Sequence, residues 1–315
     1  MASISKRTIR WRTREGEDRT GERYEAFYRD RAGNRHRRLF ELKRDAQRWL
    51  DEQTAGLVTG QWADPRAGRE SLRDFAERWR KRQVHSPNTA TAFESVLRLH
   101  VYPTLGTHRL DEIRPPDVQG LVRLWANAAA PTTVENRYTI LATVLRGAAN
   151  DRAIPASPCQ DVKLPRVEPR SALVPIATEV VLALYDAMPA RYRAFVLVGA
   201  GTGMRRAEIL GLTLDRVSTD FSTIRVDRQL ARSSTSTSVT FGVPKTKASV
   251  RTIGVAPFVM EAISAHVAQF GTHSTGLLFT SGVGSAVAPS VLHRAWSIAA
   301  AKVGTEATPH ALRHY

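Results

Sequence analysis

Two stretches decide how this chain reads: Thr202-Gly-Met-Arg-Arg-Ala-Glu-Ile-Leu-Gly-Leu212 and Thr308-Pro-His-Ala-Leu-Arg-His-Tyr315. In the first, Gly201 and Gly203 interrupt a strongly apolar helix predicted from about Arg191. A new helix follows, with Arg205 and Glu208 three positions apart. In the second, Thr308 is a candidate helix N-cap and Pro309 suits a first turn. His310 and Arg313 then fall on one face of that helix. A helix N-terminus carrying a guanidinium and an imidazole favours an anionic oxygen.

Singly, each group has a plain explanation. Arg205 and Glu208 make a surface pair worth under about 1 kcal/mol. Lys245, in Pro244-Lys-Thr-Lys-Ala-Ser-Val-Arg251 on the approach to a strand, reads as a solvated hairpin tip. His310 and His314, four apart, are half of a metal site. The glutamate of a zinc-hydrolase helix is absent and no cysteine assists, so no metal is expected.

Bulk composition points the same way as the motifs. The 315 residues suffice for two or three domains. Lys and Arg number 46 against 30 Asp and Glu, a formal charge of +16. Most of that excess is Arg, whose planar fork grips phosphate at two points. A polyanion partner is expected, double-stranded DNA foremost, with codon bias as the competing source of arginine. Cys159 is the only cysteine, so a disulfide framework is excluded and a reducing cytoplasm fits. No apolar run approaches the roughly 18 residues of a membrane span. The opening Met-Ala-Ser-Ile-Ser-Lys-Arg has no apolar core of a secretory signal.

Three segments follow from the patterning. Residues 1–65 read as a three-stranded sheet closed by a helix, with strands around Thr8–Thr13, Arg23–Arg29 and Arg35–Phe40. The first fifty residues hold fifteen Lys or Arg and eight Asp or Glu. A basic sheet of this kind enters a DNA major groove, and Arg35 and Arg37 are its candidate contacts; solvated arginines are the alternative. Residues 68–165 read as four helices, starting at Ser71, Ser86, Pro116 and Thr132. Tyr102-Pro-Thr-Leu-Gly106 is expected to stop the second. Val134, Tyr138, Leu141 and Leu145 form the core stripe of the fourth. Thr132, Thr133, Asn136 and Arg137 at its start are either phosphate contacts or ordinary caps and surface residues. Leu164–Pro175 holds three prolines in twelve residues and reads as an extended linker. Residues 173–315 are mixed, with Thr178 as a helix cap and strand candidates at Thr223–Asp227 and Ser249–Val255.

Together, the order and spacing of Thr202–Leu212, Pro244–Ile253 and His310–His314 resemble the tyrosine recombinase, or phage integrase, family. Val101-Tyr-Pro-Thr-Leu-Gly106 and Leu110-Asp-Glu-Ile113 look like its core-binding domain, and the N-terminal segment looks like its arm-site-binding domain. The resemblance implies a mainly α fold with small β-sheets and a mixed α/β catalytic domain of recombinase type. It implies cofactor-free phosphoryl transfer on DNA attachment sites through a 3′-phosphotyrosyl link. Arg205 and Arg313 would clamp the non-bridging oxygens, a job whose removal commonly costs about 100- to 1000-fold in rate. Lys245 would protonate the leaving 5′ oxygen, and His310 would serve as acid–base partner. Glu208 would orient Arg205, and His314 would support packing.

In the family a further His or Trp and then the nucleophilic tyrosine follow the His-x-x-Arg helix. Neither is present here, and Tyr315 falls roughly 200° around the helix from Arg313. The expectation is therefore a bacterial, nucleoid-associated DNA binder that is C-terminally truncated, has no nucleophile of its own and does not cleave. A full-length form would assemble as a tetramer on paired sites. A non-catalytic DNA-binding protein derived from an integrase is the alternative.

Overall fold

The computed structural model describes residues 2–12, 18–31, 33–59, 62–64, 66–168, 175–220, 222–231, 239–243 and 249–315. The chain divides into two compact units, Met1–Glu168 and Pro169–Tyr315, mainly helical with small sheets. Among the described residues no helix is long and apolar enough to cross a membrane.

The first unit opens with an antiparallel sheet of β1 (Ser3–Arg12), β2 (Asp18–Arg29) and β3 (Arg35–Phe40), in that order. β1 and β2 outrun the predicted strands. In the extra length Ile4 packs against the cluster of Tyr28, Leu50 and Trp62, and Lys6 meets Glu22 across the strands at 2.6 Å. Strand alternation sends Ala26, Tyr28 and His36 toward α1 (Lys43–Thr59) and leaves Arg23, Phe27, Arg29, Arg35 and Arg37 on the opposite face. Tyr28 anchors the helix side. Its hydroxyl accepts from Trp62 Nε1 at 2.8 Å and donates to Gln53 Oε1 at 3.1 Å, and its ring stacks on His36.

The helices α2 (Leu72–Arg82), α3 (Pro87–Val96), α4 (Tyr102–Leu105), α5 (Pro115–Ala126) and α6 (Pro131–Asn150) enclose a second core in the same unit. Ser71 and Ser86 cap α2 and α3 by accepting the Asp74 and Thr89 N–H groups. Leu72, Phe75 and Trp79 pack against Leu97, Val134, Leu141 and Leu145, the expected stripe. Pro103, however, does not stop the chain. A π-helical turn, Leu97–Val101, joins α3 to α4 and places Pro103 in a first turn. The wider turn makes room for a ring that would otherwise strike the carbonyl four residues back.

The second unit packs α7 (Thr178–Ala187), α8 (Ala190–Thr202), α9 (Arg206–Leu210), α10 (Pro257–Phe270) and α11 (Pro289–Val303) around Leu184, Phe195, Ile209, Ile263, Phe279 and Trp296. β4 (Val217–Ser218) and β5 (Thr223–Val226) precede a two-residue pair, β6 (Gln229–Leu230) with β7 (Phe241–Gly242). β8 (Arg251–Gly254) completes a sheet ordered β4-β5-β8. Two local expectations are corrected. Thr178 is the first residue of α7 and Ala177 is its cap; the Thr178 hydroxyl instead hydrogen-bonds the Tyr315 hydroxyl at 2.8 Å. The last segment is a 3-10 turn, Ala311–His314, not an α-helix capped by Thr308. Ala311 and Arg313 donate to carbonyls three residues back, Thr308 and His310, because Leu312 is drawn into the core.

Candidate active site

The site starts where α8 ends. Gly203 takes a left-handed conformation, φ +61°, and returns its N–H to the Gly199 carbonyl at 3.1 Å. Arg205 then lies extended at the head of α9. Its backbone N–H donates to Glu208 Oε2 at 2.8 Å, and its Nη1 donates to Glu208 Oε1 at 2.9 Å. Glu208 is only 2 % exposed. Arg251, the first residue of β8, donates from Nη2 to Glu208 Oε2 at 3.0 Å and from Nη1 to the Ser249 carbonyl at 3.0 Å. The buried Ser249 places its hydroxyl 3.4 Å from Arg205 Nη1. Burial by itself would raise the Glu208 pKa. Hydrogen bonds from Arg251 and from both the backbone and side chain of Arg205 outweigh it and hold the carboxyl below its ordinary range. Glu208 is thus an anion that grips one edge of Arg205, whose side chain stays 47 % exposed.

The C-terminal turn packs against this corner. A Cβ on Gly199 would stand 2.8 Å from Leu312 Cδ1, so the glycine is what lets the turn approach α8. The Cβ position of Gly203 lies 3.6 Å from the Arg313 carbonyl oxygen. The turn bearing Arg205 and the turn bearing His310 and Arg313 are therefore neighbours. Arg313 Nη1 is buried and has no hydrogen-bond partner among the described residues. A buried guanidinium N–H without an acceptor is costly and suits an anion brought by a ligand. His310 is exposed, and its ring meets His314 edge-on with centroids 5.3 Å apart.

Beside this corner a cavity of about 620 Å³ opens between α11 and residues 305–310, lined by Arg206, His293, Trp296 and His310 among others. Arg205, Glu208 and Arg313 do not line it. Of the cluster, the Arg205 side chain is about half exposed, while Glu208 and Arg313 Nη1 are buried. Lys245 lies outside the described residues. The chain returns from that segment at Ser249, already in contact with Arg205.

In the first unit, Arg35 and Arg37 are exposed on the open face of the sheet. They lie 3.7 Å from the carboxylate of Glu25, which also meets Arg7 at 3.1 Å. Arg35 additionally covers the Phe27 ring at 4.2 Å. Thr132, Thr133 and Asn136 are exposed at the start of α6, and Arg137 is half-buried. Ala130 is the N-cap of that helix, so Thr132 and Thr133 are not caps.

Sequence reasoning did not single out Arg251 and Ser249. Both stand inside the quoted Pro244–Ile253 stretch, but Arg251 binds a carboxylate 43 positions away, a separation that no helical or strand period marks.

The chain is similar to known proteins over most of its length. The model of the phage integrase family matches residues 176–315, and that of the phage integrase central domain matches residues 70–164. A putative prophage phiRv2 integrase of Mycobacterium tuberculosis is 27 % identical over 288 residues, covering 88 % of this chain and 75 % of that protein. The integrase of Mycobacterium phage L5 is 24 % identical, covering 84 % of this chain and 73 % of its own length. Among solved structures, the Tn1549 transposon integrase in complex with transposon right end DNA aligns at TM-score 0.67 and 21 % identity, over 78 % of this chain and 84 % of that one. A lambda integrase dimer bound to a COC′ core site aligns at TM-score 0.61 and 14 % identity, over 96 % of this chain and 85 % of that one. These structural likenesses concern the fold, which is that of the tyrosine recombinases. By its matched segments and its architecture, the chain belongs to the phage integrase family.

Proposed function

We propose that this chain serves site-specific recombination of DNA, integrating a phage or mobile element at attachment sites. The observation that supports the proposal is the packing of Leu312 against Gly199, which sets the Arg313 backbone beside Gly203, two residues before Arg205. In the reaction, a tyrosine hydroxyl attacks a backbone phosphorus and the 5′ oxygen leaves, giving a 3′-phosphotyrosyl link that a 5′-hydroxyl later reverses. Arg205 and Arg313 hold the non-bridging oxygens as charge builds on them. Lys245 gives the leaving oxygen its proton, His310 serves the attacking hydroxyl, and Glu208 orients Arg205. Two fixed guanidiniums and an ammonium supply the charge that metal ions supply in other phosphoryl-transfer sites.

Under the same proposal, residues 1–65 bind arm-type sites through Arg35 and Arg37. Residues 68–165 bind the core site, with Thr132, Asn136 and Arg137 at the backbone, and residues 173–315 form the catalytic domain. The assembly on paired sites is a tetramer. None of the tyrosines among residues 1–315 is assigned as nucleophile; the Tyr315 hydroxyl is already engaged by Thr178.

The test is selection of duplexes by this chain from a random pool, followed by binding at increasing salt and incubation with the selected duplex nicked. The expected outcome is one enriched sequence, affinity that falls steeply with salt, and no covalent adduct. A flat salt response overturns the DNA assignment. An adduct mapped to Tyr315 overturns the assignment of that residue as a bystander.

A further inference from the structure

We propose that Arg251 is a positioning residue of this site, locking Glu208 and through it the Arg205 guanidinium in one orientation. The inference rests on the proposed function and adds a residue to it. Glu208 offers two oxygens to four donors. Oε1 takes Arg205 Nη1 and, at 3.5 Å, Arg251 Nη1, while Oε2 takes both the Arg205 N–H and Arg251 Nη2. Arg251 is held at its other arm as well, since Nη1 donates to the Ser249 carbonyl. Its backbone is fixed by pairing with Val226 in the β5–β8 ladder. Arg205, Glu208, Arg251 and Ser249 therefore close a ring, in which Ser249 approaches Arg205 again at 3.4 Å.

Neither end of Arg251 resembles a solvated surface pair. Its side chain is 28 % exposed, and its carboxylate partner is 1 % exposed. Without Arg251, Glu208 keeps a single cation, and each of its oxygens is left with one donor, both from Arg205. The guanidinium fork is needed because it reaches two acceptors at fixed angles, which an ammonium does not. Arg251 is not a catalytic residue: two of its nitrogens are spent on Glu208 and Ser249.

The experiment replaces each backbone phosphate of the selected duplex, one at a time, by a neutral methylphosphonate and measures binding. In the unaltered protein, neutralising the clamped phosphate is expected to weaken binding about tenfold, the usual worth of one charge-assisted contact. In Arg251→Gln that single penalty is expected to fall to about twofold while every other position keeps its own, and Arg251→Lys is expected to restore part of it. Arg251→Gln combined with Glu208→Gln removes the buried charge left with one cation, and so reads the same effect in a chain that keeps its fold. An unchanged penalty at the clamped phosphate in these variants overturns the positioning role. So does a loss spread evenly over all phosphates with a large drop in melting temperature, which marks a structural role. If the unaltered protein has no sensitive phosphate, the proposed function itself fails, and the two failures are told apart by that control.

Discussion

Glu25 in the first unit and Glu208 in the second are both nearly buried carboxylates among arginines, yet they hold those arginines differently. Around Glu25 the distances are 3.1 Å to Arg7 and 3.7 Å to both Arg35 and Arg37. Those three side chains are 53 %, 45 % and 68 % exposed, and Glu25 Oε2 has no hydrogen-bond partner among the described residues. Around Glu208, Arg205 and Arg251 sit in hydrogen bonds of 2.8 to 3.0 Å. Under the proposed function the contrast separates two tasks. Loose, exposed arginines on the sheet would exchange one anion for another with little reorganisation, as groove binding requires, and arginines pinned to a buried anion would keep one geometry, as stabilising a reacting phosphate requires.

The largest expected difference is in stability. Glu208→Ala leaves two guanidiniums facing each other in a partly buried corner and should cost about 3–5 kcal/mol, whereas Glu25→Ala should cost under about 1 kcal/mol. Equilibrium unfolding of the full chain in urea measures both, and equal costs would erase the contrast. Next comes Leu312→Ala, expected to cost about 2–5 kcal/mol by opening a cavity beside Gly199. Because Leu312 carries the Arg313 turn, the same variant should weaken binding to the selected duplex, while a surface change such as Val58→Ala should not.

Binding separates the clusters at a finer scale. Arg35→Ala should weaken association with any duplex and reduce the salt slope by about one unit, the signature of one lost phosphate contact. A loss confined to one sequence would instead make Arg35 a base reader. The smallest effect is at acid pH. Glu208 has a folded pKa below its ordinary 4.5, so its stabilisation is complete above pH 4.5 and drains away as pH falls through the lower folded value. Glu208→Gln should flatten that acid limb in thermal melts; an unaltered limb would place the acid sensitivity elsewhere.

Much of this was legible in the sequence because the decisive residues lie close together along the chain. Gly203, Arg205 and Glu208 declare a broken helix and a capped restart within six residues, and the structure has both. The alternation of Arg35, Arg37 and Phe27 against Tyr28 and His36 likewise announces a sheet with one open face. What stayed hidden depends on contacts across the fold. Arg251 acquires its role from a carboxylate on another element, and the 3-10 turn at Ala311–His314 follows from the seat that Gly199 makes for Leu312. Thr178 has the look of a cap but is engaged by Tyr315, 137 positions away. Pro103 has the look of a stop but is absorbed by a π-helical turn. Local pattern locates the charged groups; tertiary packing decides which of them are fixed and by what.

The most direct measurement is the methylphosphonate scan of the selected duplex, run with the unaltered chain, Arg205→Ala and Arg313→Ala. Convergence on one phosphate predicts that a single position per half-site is sensitive in the unaltered chain, and that each arginine variant abolishes sensitivity at that same position. Sensitivity lost at two different phosphates, or at none, would contradict it.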